Sequence, residues 1–304
     1  MASLAWPGAT HQIAQSYRNV QRTGRPPAFW QKGKLRQLLA TESQEERGKI
    51  SAKKLKTKKE SSLEPESNIP SFRGSPHPAG SHDDSLVYKV KRIDRLLAVD
   101  CGRSENEWIT VDSLKIDQAN SWEMEFKPRT SVKLCYNEEF IYLRYFVSDR
   151  YVRCLTTEPN GPVHKDACVE FFFSPTESVR RDYFNLEVNC CGTIKLGYRS
   201  EPAGNAVHAT TEDINKIKVY HSLPGIIEDE LVDPLEWTLN IALPFEVIDR
   251  YSPIIVPTAG TKWRANFYKC AENNSHPHWL SWAPITSARP NFHLPQFFGE
   301  IEFS

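Results

Sequence analysis

The stretch KDACVEFFFSPTES, Lys165–Ser178, reads as a β-strand with an unusual charge inside it. Alternation divides its central residues between two faces of a strand. One face is apolar and holds Val169, Phe171 and Phe173; the other holds Cys168, Glu170 and Phe172. Glu170 is the only charge inside this run, and a carboxylate within a strand is rarely left without a partner. We therefore expect a strand that packs one face into a core and presents Glu170 on the other.

Similar runs fill the sequence from Val87 to Phe303, separated by Pro, Gly, Asn and Asp. Ser131–Asp149 reads as a hairpin with a tight turn at Asn137–Glu138. The one convincing helical turn is PFEVIDRY, which starts at Pro244, where proline is tolerated in a first turn. Many short strands with almost no helix predict an all-β fold, an antiparallel β-sandwich of about ten strands.

The first 85 residues have a different composition from the rest. Residues 1–60 hold 13 Lys and Arg against 4 Asp and Glu, whereas the chain from Leu86 onward holds 24 against 30. A Lys-rich and then Ser/Pro/Gly-rich segment buries too little apolar surface to offset its ordering entropy. We predict two parts: a disordered basic arm over 1–85 and one β-sandwich domain over 86–304.

The sequence leaves the compartment open. No secretory signal is expected, since no apolar segment lies near the N-terminus, and the cytoplasm is the default. The arm weakly resembles a mitochondrial transit peptide, and KKLKTKK (Lys53–Lys59) weakly resembles a nuclear localisation patch. The cysteines are odd in number and form no CxxC pair, so reduced thiols are expected. They are Cys101, Cys135, Cys154, Cys168, Cys190, Cys191 and Cys270.

Several classes of partner find little support. No stretch approaches the roughly 20 apolar residues of a membrane span, so no membrane partner is expected. The arm could attract nucleic acid by charge, but it lacks a recognisable reading module, so no specific nucleic-acid partner is expected. No GxSxG, HExxH or Gly-rich phosphate loop occurs, and no catalytic residue is predicted.

Metal ligands give only weak signals. His276 and His278 share one face of a strand, with Cys270 upstream, but no second pair has zinc-like spacing. Calcium prefers several oxygen ligands, and IEDELVD (Ile227–Asp233) is the densest acidic stretch. No cofactor is therefore predicted with certainty, and a structural calcium is kept as a candidate.

Five motifs in this order resemble carbohydrate-binding module family 9 over residues 87–304. They are VKLCYNEEFIYLRYFVSD, DACVEFFFSP, YFNLEVNCCGTI, EWTLNIALPFEVI and WLSWAP…FHLPQFFGEIEF. The resemblance implies a β-sandwich and a non-catalytic module that binds a sugar, often the reducing end of a β-glucan or xylan. It implies a slot in which two aromatic side chains clamp the ring while polar side chains hold its hydroxyls. Family members often accompany glycoside hydrolases, and bound calcium is known among them.

The resemblance also implies a set of site residues. Glu170 and Asn189 match residues that line the family's slot, and Phe292 matches its second aromatic wall. His164 stands at the tryptophan position of the first wall, and Glu187 stands where the slot carries an arginine. These two departures put the sugar in doubt more than the fold.

For each of these residues the sequence leaves a structural alternative open. Glu170 could pair with Arg144 or Arg264, and Asn189 could bond the turn before Gly192. Phe292 could be a core residue, and Trp263, Trp279 and Trp282 are interpreted as core rather than platform. Tyr151 or Trp108 could replace the missing wall.

Three functions follow from these readings. The first is a sugar-binding module. The second is an interaction module of the same fold that has lost sugar binding and binds a protein or another ligand. The third, the weakest, is part of a glycoside hydrolase system.

Overall fold

The computed structural model describes residues 86–97, 99, 105–176, 182–200 and 206–304. The predicted basic arm, its two targeting-like patches and Cys101 lie outside these residues, so those interpretations stay predictions. Within the described part of the chain, no helix is long and apolar enough to cross a membrane.

The described residues contain fifteen strands and three short α-helices. The strands are β1 (Val87–Arg92), β2 (Leu114–Ile116), β3 (Arg129–Tyr136), β4 (Phe140–Asp149), β5 (Val152–Cys154), β6 (Cys168–Ser174), β7 (Tyr183–Asn189), β8 (Ile194–Arg199), β9 (Val207–His208), β10 (Lys218–His221), β11 (Ile227–Leu231), β12 (Leu235–Pro244), β13 (Lys262–Ala271), β14 (His278–Ser281) and β15 (Gly299–Phe303). The helices are α1 (Glu105–Ile109), α2 (Thr211–Lys216) and α3 (Phe245–Tyr251).

Thirteen of the strands form one curled sheet in the order β10-β12-β4-β3-β1-β15-β13-β6-β7-β8-β9, with β14 beside β13 and β2 beside β3. The other two strands, β5 and β11, pair with each other. Strand β1 runs parallel to both β15 and β3, and the remaining pairings are antiparallel. The predicted β-rich fold is confirmed. The sheet is mixed rather than antiparallel throughout, because β1 joins two antiparallel halves edge to edge.

One hydrophobic core contains residues from both halves of the sheet. Leu134, Leu143 and Leu239 come from one half, and the aromatic residues Phe171 and Phe267 come from the other. The rings of Phe171 and Phe267 stack with centroids 5.0 Å apart. Complete burial of such a side chain contributes roughly 1.5 to 3 kcal/mol, so this aromatic stack is a main source of stability.

The predicted division of β6 between two faces is confirmed. Val169, Phe171 and Phe173 belong to the main core, whereas Cys168 and Phe172 belong to a second cluster on the outer face. The helix predicted after Pro244 and the turn before Phe140 are also present: α3 begins at Phe245, and the Asn137 amide donates to the Phe140 carbonyl. The estimate of about ten strands was low because β2, β5, β9, β11 and β14 are very short.

A buried ion pair lies at the end of β4. The ammonium of Lys269 is fully buried and lies 3.4 Å from Asp149 Oδ2. It also lies 2.8 Å from Nε2 of His278. Burial and the charge of Lys269 lower the pKa of His278 to about 2, so the ring is neutral and accepts from the ammonium. The indole N–H of Trp237 donates to the same Asp149 oxygen.

Replacing Asp149 by Asn is expected to lower the free energy of unfolding by about 3 to 5 kcal/mol, because it leaves the Lys269 charge buried without an anion. Chemical denaturation measures this effect. The matched control is Glu138→Gln, which removes a carboxylate that pairs with Arg92 at the surface. That change should cost less than about 1 kcal/mol. Equal losses in the two variants would contradict the assignment.

Candidate functional site

A cavity of about 200 Å³ opens on the outer face of the half-sheet that contains β6, β7, β8 and β13. Four of the five predicted site residues line it: His164, Glu170, Glu187 and Phe292. These residues are spread over nearly 130 positions of the sequence, and strand pairing brings them together. Asn189, the fifth, is not among the lining residues.

A cross-strand row of four residues runs along this face of the sheet, and three of them line the cavity. The register places Tyr268, Glu170, Glu187 and Lys195 opposite one another on β13, β6, β7 and β8. Residues directly opposite in a sheet share a face and lie within side-chain contact. The ammonium of Lys195 lies 2.9 Å and 3.1 Å from the two carboxylate oxygens of Glu187. Two carboxylates are thus buried side by side, with one cation at the end of the row.

The carboxylate of Glu187 is held in its ionised form. Burial acts to raise its pKa, but hydrogen bonds and charges from His164, Lys195 and Asn185 outweigh it and lower the pKa to about 2. Asn185 Nδ2 donates to Glu187 Oε1 at 2.9 Å. The charge reversal relative to the family's arginine is therefore balanced locally by Lys195.

The carboxyl group of Glu170 is in the opposite state. Burial, the neighbouring Cys270 thiol and the charge of Glu187 raise its pKa well above the ordinary value of 4.5. The Cys270 thiol lies 3.1 Å from Glu170 Oε1 and donates to it. The guanidinium of Arg264 donates instead to the carbonyl of Phe298. The pKa of Glu170 is thus raised, whereas that of its neighbour Glu187 is lowered.

Aromatic rings form part of the cavity wall. Phe292 stacks on Tyr268 with ring centroids 4.1 Å apart and planes at 11°, and it is buried in the second hydrophobic cluster, in line with the core alternative. Trp279 is half-buried at the cavity, and its indole N–H donates to Glu272 at 3.1 Å. Trp279 packs against the second hydrophobic cluster, in line with the core interpretation, and it also lines the cavity. Alternation along β14, which places Leu280 in the core, was the signal that could have found it.

His164 lies at the rim of the cavity, in a 3₁₀ turn at Val163–Lys165. Its Nδ1 is 3.8 Å from Glu187 Oε2, and its Nε2 is 3.7 Å from Glu272 Oε2. The imidazole therefore links two carboxylates at the position where a flat wall was expected. Sequence reasoning missed Glu272. This residue follows the end of β13, and no pattern in the neighbouring sequence indicates that it lies at the rim of the cavity.

The side-chain amide of Asn189 is fully used in local bonds. Its Nδ2 donates to the Thr156 carbonyl and to Asp166 Oδ2, both at 2.9 Å, and its Oδ1 accepts from the Thr193 N–H. These bonds fix the turn that follows β7, in line with the structural alternative. Contact with a ligand stays a prediction for this residue.

The two substitutes suggested for the first wall lie elsewhere. Tyr151 stacks on His276 with ring centroids 3.7 Å apart, and Trp108 is buried in a third cluster with Cys135. Neither lines the cavity. The aromatic residues that line the cavity are Phe172, Trp279, Phe292 and His293.

Potential metal ligands converge at two places within the described residues. The first place is formed by Cys168, Glu170 and Cys270, and the second by Cys154, Cys190 and Cys191. In each group one ligand atom from each residue lies within 4.8 Å of the other two. The acidic stretch 227–233 largely forms β11, where Glu230 accepts from the Ser275 N–H at 2.7 Å. Calcium binding there stays a prediction.

Comparisons with known proteins agree with this description. A family model described as carbohydrate-binding family 9 matches residues 106–303. The crystal structure of a candidate carbohydrate-binding protein from Bacteroides uniformis is similar, with a TM-score of 0.65 and 30% sequence identity. The match covers 72% of this chain and 99% of that chain.

Two further structures show a family 9 module from Caldicellulosiruptor kristjanssonii, one in complex with glucose and one with cellotriose. Their TM-scores are 0.47 at 14% and 16% identity; the matches cover 72% and 71% of this chain and 95% and 93% of theirs. A search of curated proteins gave no match.

The raised pKa of Glu170 predicts an unusual pH dependence of stability. Above pH 4.5 the unfolded chain releases this proton while the folded chain keeps it, so folding stability falls as the pH rises. Relative to Glu170→Gln, the wild type should lose up to about 1.4 kcal/mol per pH unit as the pH rises above 4.5. Urea denaturation of both proteins at several pH values measures the difference.

Glu187→Gln supplies a control of opposite sign. The pKa of Glu187 is lowered, so its contribution to stability is present above pH 4.5 and is lost as the pH falls towards 2. Parallel stability curves for the wild type and Glu170→Gln would show that Glu170 is ionised in the folded protein.

Proposed function

The chain belongs to carbohydrate-binding family 9, and from that premise we propose that it is a non-catalytic module whose cavity binds the terminal ring of a sugar chain. One observation carries the proposal. The cavity combines a half-exposed indole, that of Trp279, with the ionised Glu187–Lys195 pair. A pyranose needs a flat apolar side chain against its C–H face and directional hydrogen-bond partners for its hydroxyls.

The volume of the cavity favours a small ligand. Sites for drug-sized molecules measure about 300 to 1,000 Å³, and this cavity measures about 200 Å³. A space of this size suits one sugar ring rather than a stretch of polysaccharide. We therefore propose that the module takes the end of a chain, and that this is the reducing end of a β-glucan or xylan, as the family resemblance implies.

The polar groups are suited to hydroxyls. Lys195 has three N–H donors, and its bonds to Glu187 use two of them. Glu272, with its side chain 40% exposed, offers a further carboxylate at the rim. Hydrogen bonds that involve an ionised group are roughly twice as strong as neutral ones, so these residues would fix the orientation of the ring.

A hydrolase is a weaker candidate, although one observation bears on it. Glu170 and Glu187 form a protonated and an ionised carboxyl group on neighbouring strands, which are the states that glycosidases use. However, both groups lie in one row on one face, and Lys195 and Asn185 already bond Glu187. Glycosidase carboxyl groups flank the scissile bond instead. We therefore favour binding over turnover.

Titration calorimetry of the full chain with glucose, cellobiose and xylobiose tests the proposal. We expect saturable heat from the wild type. In Trp279→Ala the affinity should fall by at least about tenfold, because truncation of an aromatic anchor costs more than about 1.4 kcal/mol. Phe292→Leu tests the second wall while keeping an apolar side chain on Tyr268. Reduced disaccharides, which lack the ring at the reducing end, should bind more weakly if that end is recognised.

Phe126→Ala is the matched control, since Phe126 packs on Tyr151 and His278 and is not among the residues that line the cavity. It should leave sugar affinity unchanged. A flat trace from the folded wild type would refute sugar binding and favour an interaction module with a protein partner. Release of monosaccharide from the disaccharides would favour the hydrolase.

A further inference from the structure

A second chemical cluster lies away from the sugar cavity. It consists of Cys154 at the end of β5 and the adjacent pair Cys190–Cys191, in the turn that follows β7. The three sulfur atoms lie within 4.8 Å of one another, and those of Cys190 and Cys191 are 3.9 Å apart. None of the three residues lines the sugar cavity.

The sulfur spacing is the one that a shared metal ion requires. A zinc–sulfur bond measures about 2.3 Å, so two sulfurs bound to one ion in trigonal or tetrahedral geometry are roughly 3.8 to 4.0 Å apart. The 3.9 Å between Cys190 and Cys191 falls within this range. The third sulfur, Sγ of Cys154, lies within 4.8 Å of both.

The fold holds the turn firmly in place. The Gly192 N–H donates to the Asn189 carbonyl, and the Cys190 N–H donates to the Ala167 carbonyl at 2.7 Å. Gly192 has a positive φ of 86°, which glycine adopts without strain. The Asn189 side chain ties the turn to Asp166, as described above. Two neighbouring sulfurs are thus presented by a fixed backbone, which is the preorganisation that a metal site needs.

The cluster also has an entry path. Cys154 and Cys190 are buried, whereas Cys191 is partly exposed. The Cys191 thiol donates to the carbonyls of Pro224 and Gly225, which lie on the loop that covers it. An ion arriving from solvent would meet Cys191 first and displace these bonds.

We propose that Cys154, Cys190 and Cys191 form a binding site for a soft, thiophilic metal ion held by three thiolates. Sulfur ligands select soft ions over magnesium, calcium or manganese, which prefer oxygen. Binding deprotonates the thiols and releases protons. The site is independent of the sugar cavity, and its occupancy would link β5 to the turn after β7.

Titration of the full chain with cadmium chloride, in a phosphine reductant that contains no thiol, tests the proposal. We expect a thiolate-to-metal charge-transfer absorbance that saturates at one ion per chain, together with a rise in melting temperature. In Cys191→Ser the apparent affinity for cadmium should fall by more than about tenfold. Loss of a residue that only supports a ligand already lowers metal affinity about tenfold or more, and loss of a ligand itself should cost at least as much.

Two controls separate this site from the other thiols. Cys135→Ser removes a buried thiol of β3 in a different cluster, and the double variant Cys168→Ser/Cys270→Ser removes the thiols beside Glu170. Both proteins should still bind one ion. Circular dichroism establishes that each variant is folded. Cys191→Ser is the main test variant, because Cys191 is partly exposed and its substitution disturbs the core least.

An absence of charge-transfer absorbance in the wild type would overturn the proposal. So would an absorbance that persists unchanged in Cys191→Ser and disappears in the Cys168→Ser/Cys270→Ser variant, since the ion would then lie at the sugar cavity.

Discussion

Glu170 and Glu187 share one face of the sheet because β6 and β7 pair in a fixed register, with Phe171 opposite Leu186 on the other face. A slip of one residue would send both carboxylates into the core and turn the aromatic residues outward. The energy that prevents the slip comes from the stacked rings of Phe171 and Phe267 on the core side. The polar site on the outside thus depends on apolar packing on the inside.

The same register decides how the two carboxyl groups share charge. Only Glu187 has Lys195 opposite it on the next strand, so it takes the negative charge. Glu170 has Tyr268 on its other side and a thiol as its donor, and its pKa is raised. Two residues of one chemical type therefore differ in state because of their neighbours.

Local sequence patterns predicted the strands, turns and helices that are determined by residues close together in the chain. Alternation in β6, the Asn137 turn and the helix after Pro244 all follow from spacing of two to four residues. The family resemblance added His164, Glu170, Glu187 and Phe292, which do share a cavity. What could not be predicted depends on pairing between distant strands. Lys195 and the buried Lys269–Asp149 pair have no local signal, and neither does the parallel placement of β1.

The position of β15 has a consequence for biosynthesis. It is the last strand along the chain, yet it lies inside the sheet, between β13 and β1. Until residues 299–303 have been made, the growing chain therefore exposes two open strand edges, which can pair with other chains. Strands β1 and β15 are about 200 residues apart, so the sheet closes late and slowly. Other chains can therefore compete for these two edges for as long as β15 is absent.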